Sequence, residues 1–298
     1  MFSIALILLP DFALILFGLV LRRHFEYSAE FWRHLERLVY YVMFPSLLFR
    51  AVARTELALF SAVDMLLVGV GFTMAGVVAS YMARYFFGAD QRALASSIQC
   101  GFRFNTYVGL AIIDRLSGAN GLATFALLVG VMVPIVNALS VWFLARASGS
   151  PLWKELARNP LIIATLSGLA VNVSGVPLPE TVHHLIDLFA AAALPLGLLS
   201  VGAGLRTEGI RAALGLINYM TAVKLLWVPA VAWGLCEFFG LEGVYRQAAM
   251  VLASLPTASS AYILAIRMKG DGQLVASIIT LNIFVAMLTI PAWLTLAY

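Results

Sequence analysis

The sequence predicts an all-α polytopic membrane protein with ten transmembrane helices. Of its 298 residues, 62% are hydrophobic and 11% are charged, and the mean hydropathy is +0.95. A soluble domain of this size carries far more charge. The apolar stretches are about 20 residues long and lack the alternation of a membrane barrel, so helices are the expected spanning elements.

Ten apolar stretches follow one another with short loops between them. The predicted spans are 3–21, 34–53, 62–87, 92–114, 120–145, 159–175, 182–204, 211–239, 244–267 and 272–297. They divide the chain into two five-helix halves, residues 1–148 and 151–298. Little of the chain remains outside the membrane, so no extramembrane domain is expected.

The two halves share landmarks at an offset of about 150 residues, as expected for a repeat. Pro45 corresponds to Pro195, and the polar stretch at Asn105 corresponds to Pro256. Because five is odd, the second half enters the membrane from the opposite side, which makes the repeat inverted. Matching helix breaks in inverted repeats indicate the midplane site of a secondary transporter.

The basic residues predict the orientation. Thirteen lie in loops on one side and four on the other, and the positive-inside rule makes the richer side cytoplasmic. Both termini are then outside the cytoplasm. This topology accounts for the pI of about 9.2, so no nucleic-acid partner is expected.

Two basic residues, Arg103 and Lys224, remain deep within predicted spans. Charges inside a membrane are functional by default, but either residue can instead cap a neighbouring helix or reach an interface. Asp64 and Asp187 lie near span entrances, where they can stay solvated. The sequence places no carboxylate beyond doubt in a buried position, which leaves a proton-carrying acid unidentified.

The fourth span contains a polar stretch with two glycines, Gly101 to Gly109. A break between Gly101 and Asn105 gives the following half-helix a free N-terminus, which favours an anionic group. Asn105 and Thr106 add polar side chains. Arg103 can pair with a carboxylate or brace the broken backbone.

The ninth span breaks at Pro256, which lacks a backbone N–H. Thr257, Ser259 and Ser260 follow, where they can cap the second half-helix, contact substrate or allow close helix packing. Ser46, beside Pro45 in the second span, can face the cavity or pack between helices. Asn282 in the tenth span is typical of an interhelical hydrogen bond.

Enzyme signatures are absent from the sequence. The four histidines lie in or near loops without metal-ligand spacing to either cysteine. No metal site or resident cofactor is expected, and the protein is predicted not to be an enzyme.

Three segments carry a resemblance to the auxin efflux carrier family in its bacterial branch, which includes permeases for malonate and malate. They are LVYYVMFPSLLF at 38–49, GFRFNTYVGL at 101–110 and LASLPTASSAYILA at 252–265. The family often has a proline in the fourth-helix break, whereas residues 101–109 contain none here. The long cytoplasmic loop of the plant members is also missing, so auxin itself is not the expected substrate.

The resemblance implies scaffold and transport domains that each draw helices from both repeats, an architecture shared with bile acid symporters and sodium–proton antiporters. The fourth and ninth helices cross at their breaks, and the anion binds beside the crossing, at Asn105 and Pro256. The implied location is the bacterial inner membrane. The implied partners are a small organic anion and the lipid bilayer, and a homodimer is the assembly considered.

The function expected from these features is secondary active transport of small organic anions, such as malonate, malate or auxin-like acids, by elevator-type alternating access. Coupling to H⁺ or Na⁺ is left open. One alternative is a sodium-coupled organic anion symporter of the bile acid type. A more remote alternative is a membrane sensor that binds a ligand without moving it.

Overall fold

The regular structure of the described residues is helical throughout. The computed structural model describes residues 2–25, 27–53, 59–88, 90–145, 160–175, 179–205, 213–258 and 260–297. The helices are α1 (Phe2–His24), α2 (Ala29–Leu38), α3 (Phe44–Ala53), α4 (Leu59–Phe86), α5 (Gln91–Ile98), α6 (Thr106–Ala145), α7 (Pro160–Ser174), α8 (Glu180–Ala203), α9 (Leu214–Ala222), α10 (Val228–Phe239), α11 (Gly243–Ser254), α12 (Ser260–Arg267) and α13 (Gly272–Ala297). This confirms the all-α prediction for the part of the chain that is described.

Several helices are joined without a loop. A π-helical turn, Val39–Met43, links α2 to α3, and a second one, Val223–Trp227, links α9 to α10. Within α6, Gly118 has φ 55° and ψ −143°, a left-handed conformation that glycine adopts without strain. The chain turns there, between the predicted spans 92–114 and 120–145.

The second helix begins earlier than predicted. It starts at Ala29 rather than at residue 34, because Ser28 caps it: the Phe31 backbone N–H donates to Ser28 Oγ at 3.0 Å. The first turn holds Glu30, whose charge is favourable at a helix N-terminus. The prediction followed hydropathy alone and therefore missed this polar first turn.

Five stretches of the described residues are long and apolar enough to cross a membrane. They are Ala62–Phe86, Gln91–Leu144, Glu180–Ala203, Leu214–Phe239 and Gly272–Leu296. Large apolar side chains such as Phe238, Val173 and Leu288 are about 80% exposed, which suits contact with lipid tails better than contact with water. The arrangement of ten spans in inverted repeats stays a prediction.

The helices pack in two groups. In the first, α8 contacts α1 and α3, and α3 contacts α7; in the second, α11 contacts α4, α6, α10 and α13. Between the groups, α6 contacts α1, α3, α7 and α8, and α13 contacts α1. We call these the α1 group and the α6 group.

The α1 group is tightly packed where α1 meets α8. A Cβ at Gly202 would overlap the carbonyl oxygen of Ile15, and a Cβ at Gly18 would overlap that of Leu199. Small residues let helix backbones approach closely, which is a common device in membrane proteins. This contact makes α1 and α8 one packing unit.

Candidate functional site

Two of the predicted spans, the fourth and the ninth, are each interrupted by a non-helical stretch. Helix α5 continues through a 3₁₀ turn, Gln99–Gly101, and the chain is then non-helical until α6 begins at Thr106. Helix α11 ends at Ser254, and residues 255–258 are non-helical before α12 begins at Ser260. These are the stretches that the sequence analysis singled out.

The two interruptions are in direct contact. The Asn105 backbone N–H donates to the Pro256 carbonyl oxygen at 2.9 Å, and Thr257 Oγ1 donates to the Cys100 carbonyl oxygen at 2.6 Å. Gln99 Nε2 donates to the Ala261 carbonyl oxygen at 3.3 Å. Backbone groups freed by the breaks therefore pair across them, which their depth in an apolar bundle requires. We call residues 99–106, 253–258 and 260–261 the crossing.

The local sequence accounts for both breaks. Pro256 lacks the N–H that would continue α11, and Leu255 before it is extended with φ −64° and ψ 146°. Gly101 lies against α4, where a Cβ would overlap Ser80 Oγ. Breaking the fourth-span helix thus needs no proline, because glycine and an asparagine cap suffice.

Asn105 is the N-cap of α6. Its Oδ1 accepts hydrogen bonds from the backbone N–H groups of Tyr107 at 3.1 Å and Val108 at 3.4 Å. Its Nδ2 is buried and has no hydrogen-bond partner among the described residues. The side-chain acceptor is therefore occupied, while the two amide donors are available to a ligand.

Arg103 is buried beside the crossing with only part of its guanidinium engaged. Its Nη2 donates to Ser260 Oγ at 2.8 Å, and 6% of the residue is exposed. Its Nε and Nη1 have no hydrogen-bond partner within the described ranges. A buried donor without a partner costs about 1–3 kcal/mol, and more when it is charged, so these groups suit an anionic ligand.

Lys224 is the second cation at the crossing. It lies in the π-helical turn between α9 and α10, is 1% exposed, and donates from Nζ to the Ala253 carbonyl oxygen at 2.9 Å. Ala253 is in the last turn of α11, where free carbonyls and the helix dipole favour a positive charge. Lys224 thus caps a neighbouring helix, one of the two roles considered from the sequence.

The Thr257 hydroxyl both donates and accepts a hydrogen bond within the protein. Besides donating to Cys100, its hydroxyl accepts a hydrogen bond from Asn282 Nδ2 at 2.7 Å, and the residue is 0% exposed. The interhelical role predicted for Asn282 is confirmed. The pair ties α13 to the crossing, and it positions the break rather than facing a ligand.

Replacing Thr257 by valine is expected to lower the free energy of unfolding by about 2–3 kcal/mol. The change keeps the shape but leaves the Cys100 carbonyl and the Asn282 amide without their partner. Thermal unfolding in detergent measures the effect. Thr221→Val is the matched control, because the Thr221 hydroxyl donates to Ile217 in its own helix and should change stability little. Equal destabilisation by both variants would contradict the role given to Thr257.

The remaining predicted site residues have different surroundings. Ser46 Oγ donates to the Val42 carbonyl oxygen in its own helix at 2.8 Å, as in a packing role. Thr106 is half-buried at the first turn of α6, and Ser260 is exposed at the start of α12. Ser259 lies outside the described residues.

The charge of the crossing is positive. The buried charged side chains of the described residues are Arg103, Lys224 and Asp11, and the first two have no carboxylate partner there. Helices α6 and α12 also direct their N-termini to the crossing, which adds partial positive charge. This arrangement favours a small anion.

Asp11 is a buried carboxylate that the sequence analysis missed. It is 4% exposed, and its Oδ2 accepts a hydrogen bond from Arg115 Nε at 2.6 Å. From the sequence no carboxylate was identified as buried beyond doubt, and Asp11 was not singled out. The signal was present, since an aspartate ten residues into an apolar helix is an intramembrane charge by the same rule that identified Arg103.

A bundle of apolar helices in which two interrupted helices cross at a polar site is typical of membrane transporters. Comparison with known proteins gives the same class. A family described as "Membrane transport protein" matches residues 144–294, just over half of the chain. The chain belongs to this family, the auxin efflux carrier family, and is a multi-pass membrane transporter.

Three similar proteins are each named as a transporter or carrier. A "Putative malonate transporter" of Rhizobium meliloti strain 1021 is 26% identical over 278 residues, covering 87% of this chain and 84% of the relative. An "Uncharacterized transporter" of Methanothermobacter thermautotrophicus is 25% identical over 288 residues, 94% of each chain. A "Probable auxin efflux carrier component 1b" of rice, Oryza sativa subsp. japonica, is 30% identical over 110 residues, 35% of this chain and 20% of the rice protein.

Proposed function

We propose that the protein is a secondary active transporter of small organic anions, with carboxylates such as malonate, malate or auxin-like acids as substrates. The observation that carries this proposal is the Arg103 guanidinium, which is buried with two nitrogens unpaired and no ion-pair partner among the described residues. On insertion scales an arginine at the membrane centre costs about 2.5–3.5 kcal/mol. A carboxylate bound beside it offsets that cost.

The anion binds at the crossing. One carboxylate accepts hydrogen bonds from the free nitrogens of Arg103, and a carboxylate oxygen accepts one from Asn105 Nδ2. The N-terminus of α6 adds favourable dipole character. Thr257 and Pro256 hold the geometry, and Lys224 neutralises the C-terminal end of α11.

Transport follows elevator-type alternating access. In this mechanism the α6 group carries the crossing, and the bound anion with it, past the α1 group. The division of helix contacts into these two groups supports the proposal. In the bacterial inner membrane both termini lie outside the cytoplasm, as the distribution of basic residues favours.

A sodium-coupled mechanism has less support. Sodium needs oxygen ligands, and three carbonyls next to the breaks already accept hydrogen bonds: Cys100 from Thr257, Ala253 from Lys224 and Pro256 from Asn105. The Lys224 ammonium already supplies a positive charge beside the ninth-span break. We therefore expect transport without sodium.

Purified protein in liposomes tests the proposal. Malonate is the substrate to test first, because the relative from Rhizobium meliloti is named for malonate. Uptake of labelled malonate is expected to be saturable and to have the same rate in sodium and choline buffers. Protein-free liposomes are the control. Sodium dependence would instead support the bile acid type of symport, and binding without flux would support a sensor. Failure to bind or move malonate, malate or an aromatic carboxylate would contradict the proposed function.

A further inference from the structure

A second charged site is a cavity that shares no lining residue with the crossing. It has a volume of about 290 Å³ and lies between α1, α3, α6 and α8. Its charged lining consists of Asp11, Arg50, Asp114 and Arg115, and Pro195 and Leu47 are among its apolar walls. The Arg115 side chain is 39% exposed, so the cavity reaches the surface of the protein.

Asp11 is the buried member of this set and lies near the middle of its helix. It is 4% exposed and is the tenth of the 23 residues of α1. A buried ionised carboxylate requires a partner, and Arg115 provides it through the 2.6 Å contact. Helix α1 coincides with the predicted span 3–21, and an acid inside a spanning helix that faces the bundle interior is the usual setting of a proton relay.

The ion pair joins the two helix groups. Asp11 belongs to the α1 group through the contacts of α1 with α8, and Arg115 belongs to α6. Any movement of the α6 group past the α1 group therefore separates Asp11 from Arg115. Separating a buried ion pair while both members stay charged is strongly unfavourable, whereas a protonated carboxyl releases the arginine at much lower cost.

The other charges around Asp11 are Asp114 on α6, Arg50 on α3 and Asp187 on α8. Arg50 Nη1 lies 3.7 Å from Asp187 Oδ1, an ion pair inside the α1 group. Helix α13, which also packs on α1, contributes no titratable side chain over residues 272–297. With three carboxylates and two arginines, the set has a formal charge of −1 when all are ionised, and one proton neutralises it.

We propose that Asp11 is the proton-binding site of the transport cycle, an inference that rests on the proposed function. Ionised Asp11 holds Arg115 and keeps the two groups together. A proton from water on the side reached by Arg115 binds the Asp11 carboxylate, Arg115 is released, and the α6 group moves with the anion. After this movement, water from the opposite side reaches the Asp11 carboxyl on the α1 group and takes up its proton, so that one proton and one anion cross together.

The test follows proton and malonate movement in the same liposomes. A trapped pH indicator reports protons while labelled malonate runs down its gradient, and protein-free liposomes correct for leakage. The wild type is expected to move protons in the direction of malonate, with flux that rises as the pH falls from 8 to 5.5. In Asp11→Asn, proton movement per malonate should fall at least tenfold and the pH dependence should disappear.

Asp187→Asn is the matched control, because its ion pair with Arg50 does not join the two groups. It should keep the proton movement and pH dependence of the wild type. Arg115→Gln provides a second variant in case Asp11→Asn does not fold: Asp11 then binds its proton more readily, and the flux–pH curve should shift at least one unit toward alkaline pH.

The outcomes separate the two proposals. Malonate flux without proton movement in the wild type would overturn the role of Asp11 and leave the proposed function intact. Proton-coupled flux that Asp11→Asn does not alter, or a flux–pH curve that Arg115→Gln does not shift, would likewise overturn it. Absence of any anion flux in the wild type would overturn the proposed function and, with it, this inference.

Discussion

Arg103→Gln is expected to abolish malonate transport and to weaken malonate binding at least 100-fold. The glutamine retains a polar group that can reach Ser260, but it removes the positive charge and the two unpaired nitrogens that we assign to the anion. Loss of a buried, charge-assisted pair costs about 3 kcal/mol or more, which corresponds to about two orders of magnitude in Kd. Calorimetric titration with malonate measures the binding, and liposome uptake measures the flux.

Ser260→Ala distinguishes the two roles considered for Arg103, namely binding the anion and bracing the broken backbone. Ser260 is the hydrogen-bond partner of Arg103 in the described part of the chain, and it accepts from Nη2 alone. If Arg103 binds the anion, removal of this hydroxyl should change the malonate Kd less than threefold. If Arg103 only braces the break, Ser260→Ala should impair transport as strongly as Arg103→Gln. In that case neither variant should change the malonate Kd as long as the protein is folded.

Asn105→Asp is expected to abolish transport while leaving the protein as stable as the wild type. Aspartate is as good an N-cap as asparagine, so the hydrogen bonds from Tyr107 and Val108 are kept. The Nδ2 donors, however, are replaced by a negative charge that repels a carboxylate. Thermal unfolding and malonate uptake, measured on the same preparation, check the two halves of this expectation.

Asn105→Ala serves as the comparison because it removes both functions of the side chain. It should abolish uptake and should also lower the free energy of unfolding by about 1 kcal/mol through loss of the cap. Malonate uptake by Asn105→Asp at the wild-type rate would show that the anion binds elsewhere. A large loss of stability in Asn105→Asp would show that the side chain serves the fold alone.

The positions of the two breaks could be predicted from the sequence because they violate a local rule. Proline at 256 and polar residues around Asn105 interrupt apolar stretches that otherwise read as continuous helices. The pairing between the breaks could not be predicted in detail. The bond from Thr257 to the Cys100 carbonyl spans 157 residues, and its register depends on how α5 and α11 pack.

The sequence predicted which residues bring charge to the site better than it predicted the groups that those charges contact. Lys224 stood out as an intramembrane charge, but its acceptor, the Ala253 carbonyl, is exposed only because α11 ends there. Asp11 and Arg115 were missed as a pair because each was read locally, the first as part of an apolar helix and the second as a loop residue. Their contact arises from packing between helices 104 residues apart, which hydropathy does not record.

The most direct test of the anion site is an experimental structure of the protein with bromomalonate, in which the bromine locates the ligand by anomalous scattering. The anion is expected at the crossing, with a carboxylate within about 3.2 Å of Arg103 Nε or Nη1 and of Asn105 Nδ2, the range of an N–H···O hydrogen bond. A bromine signal in the cavity beside Arg115 and Asp11, with none at the crossing, would contradict the account.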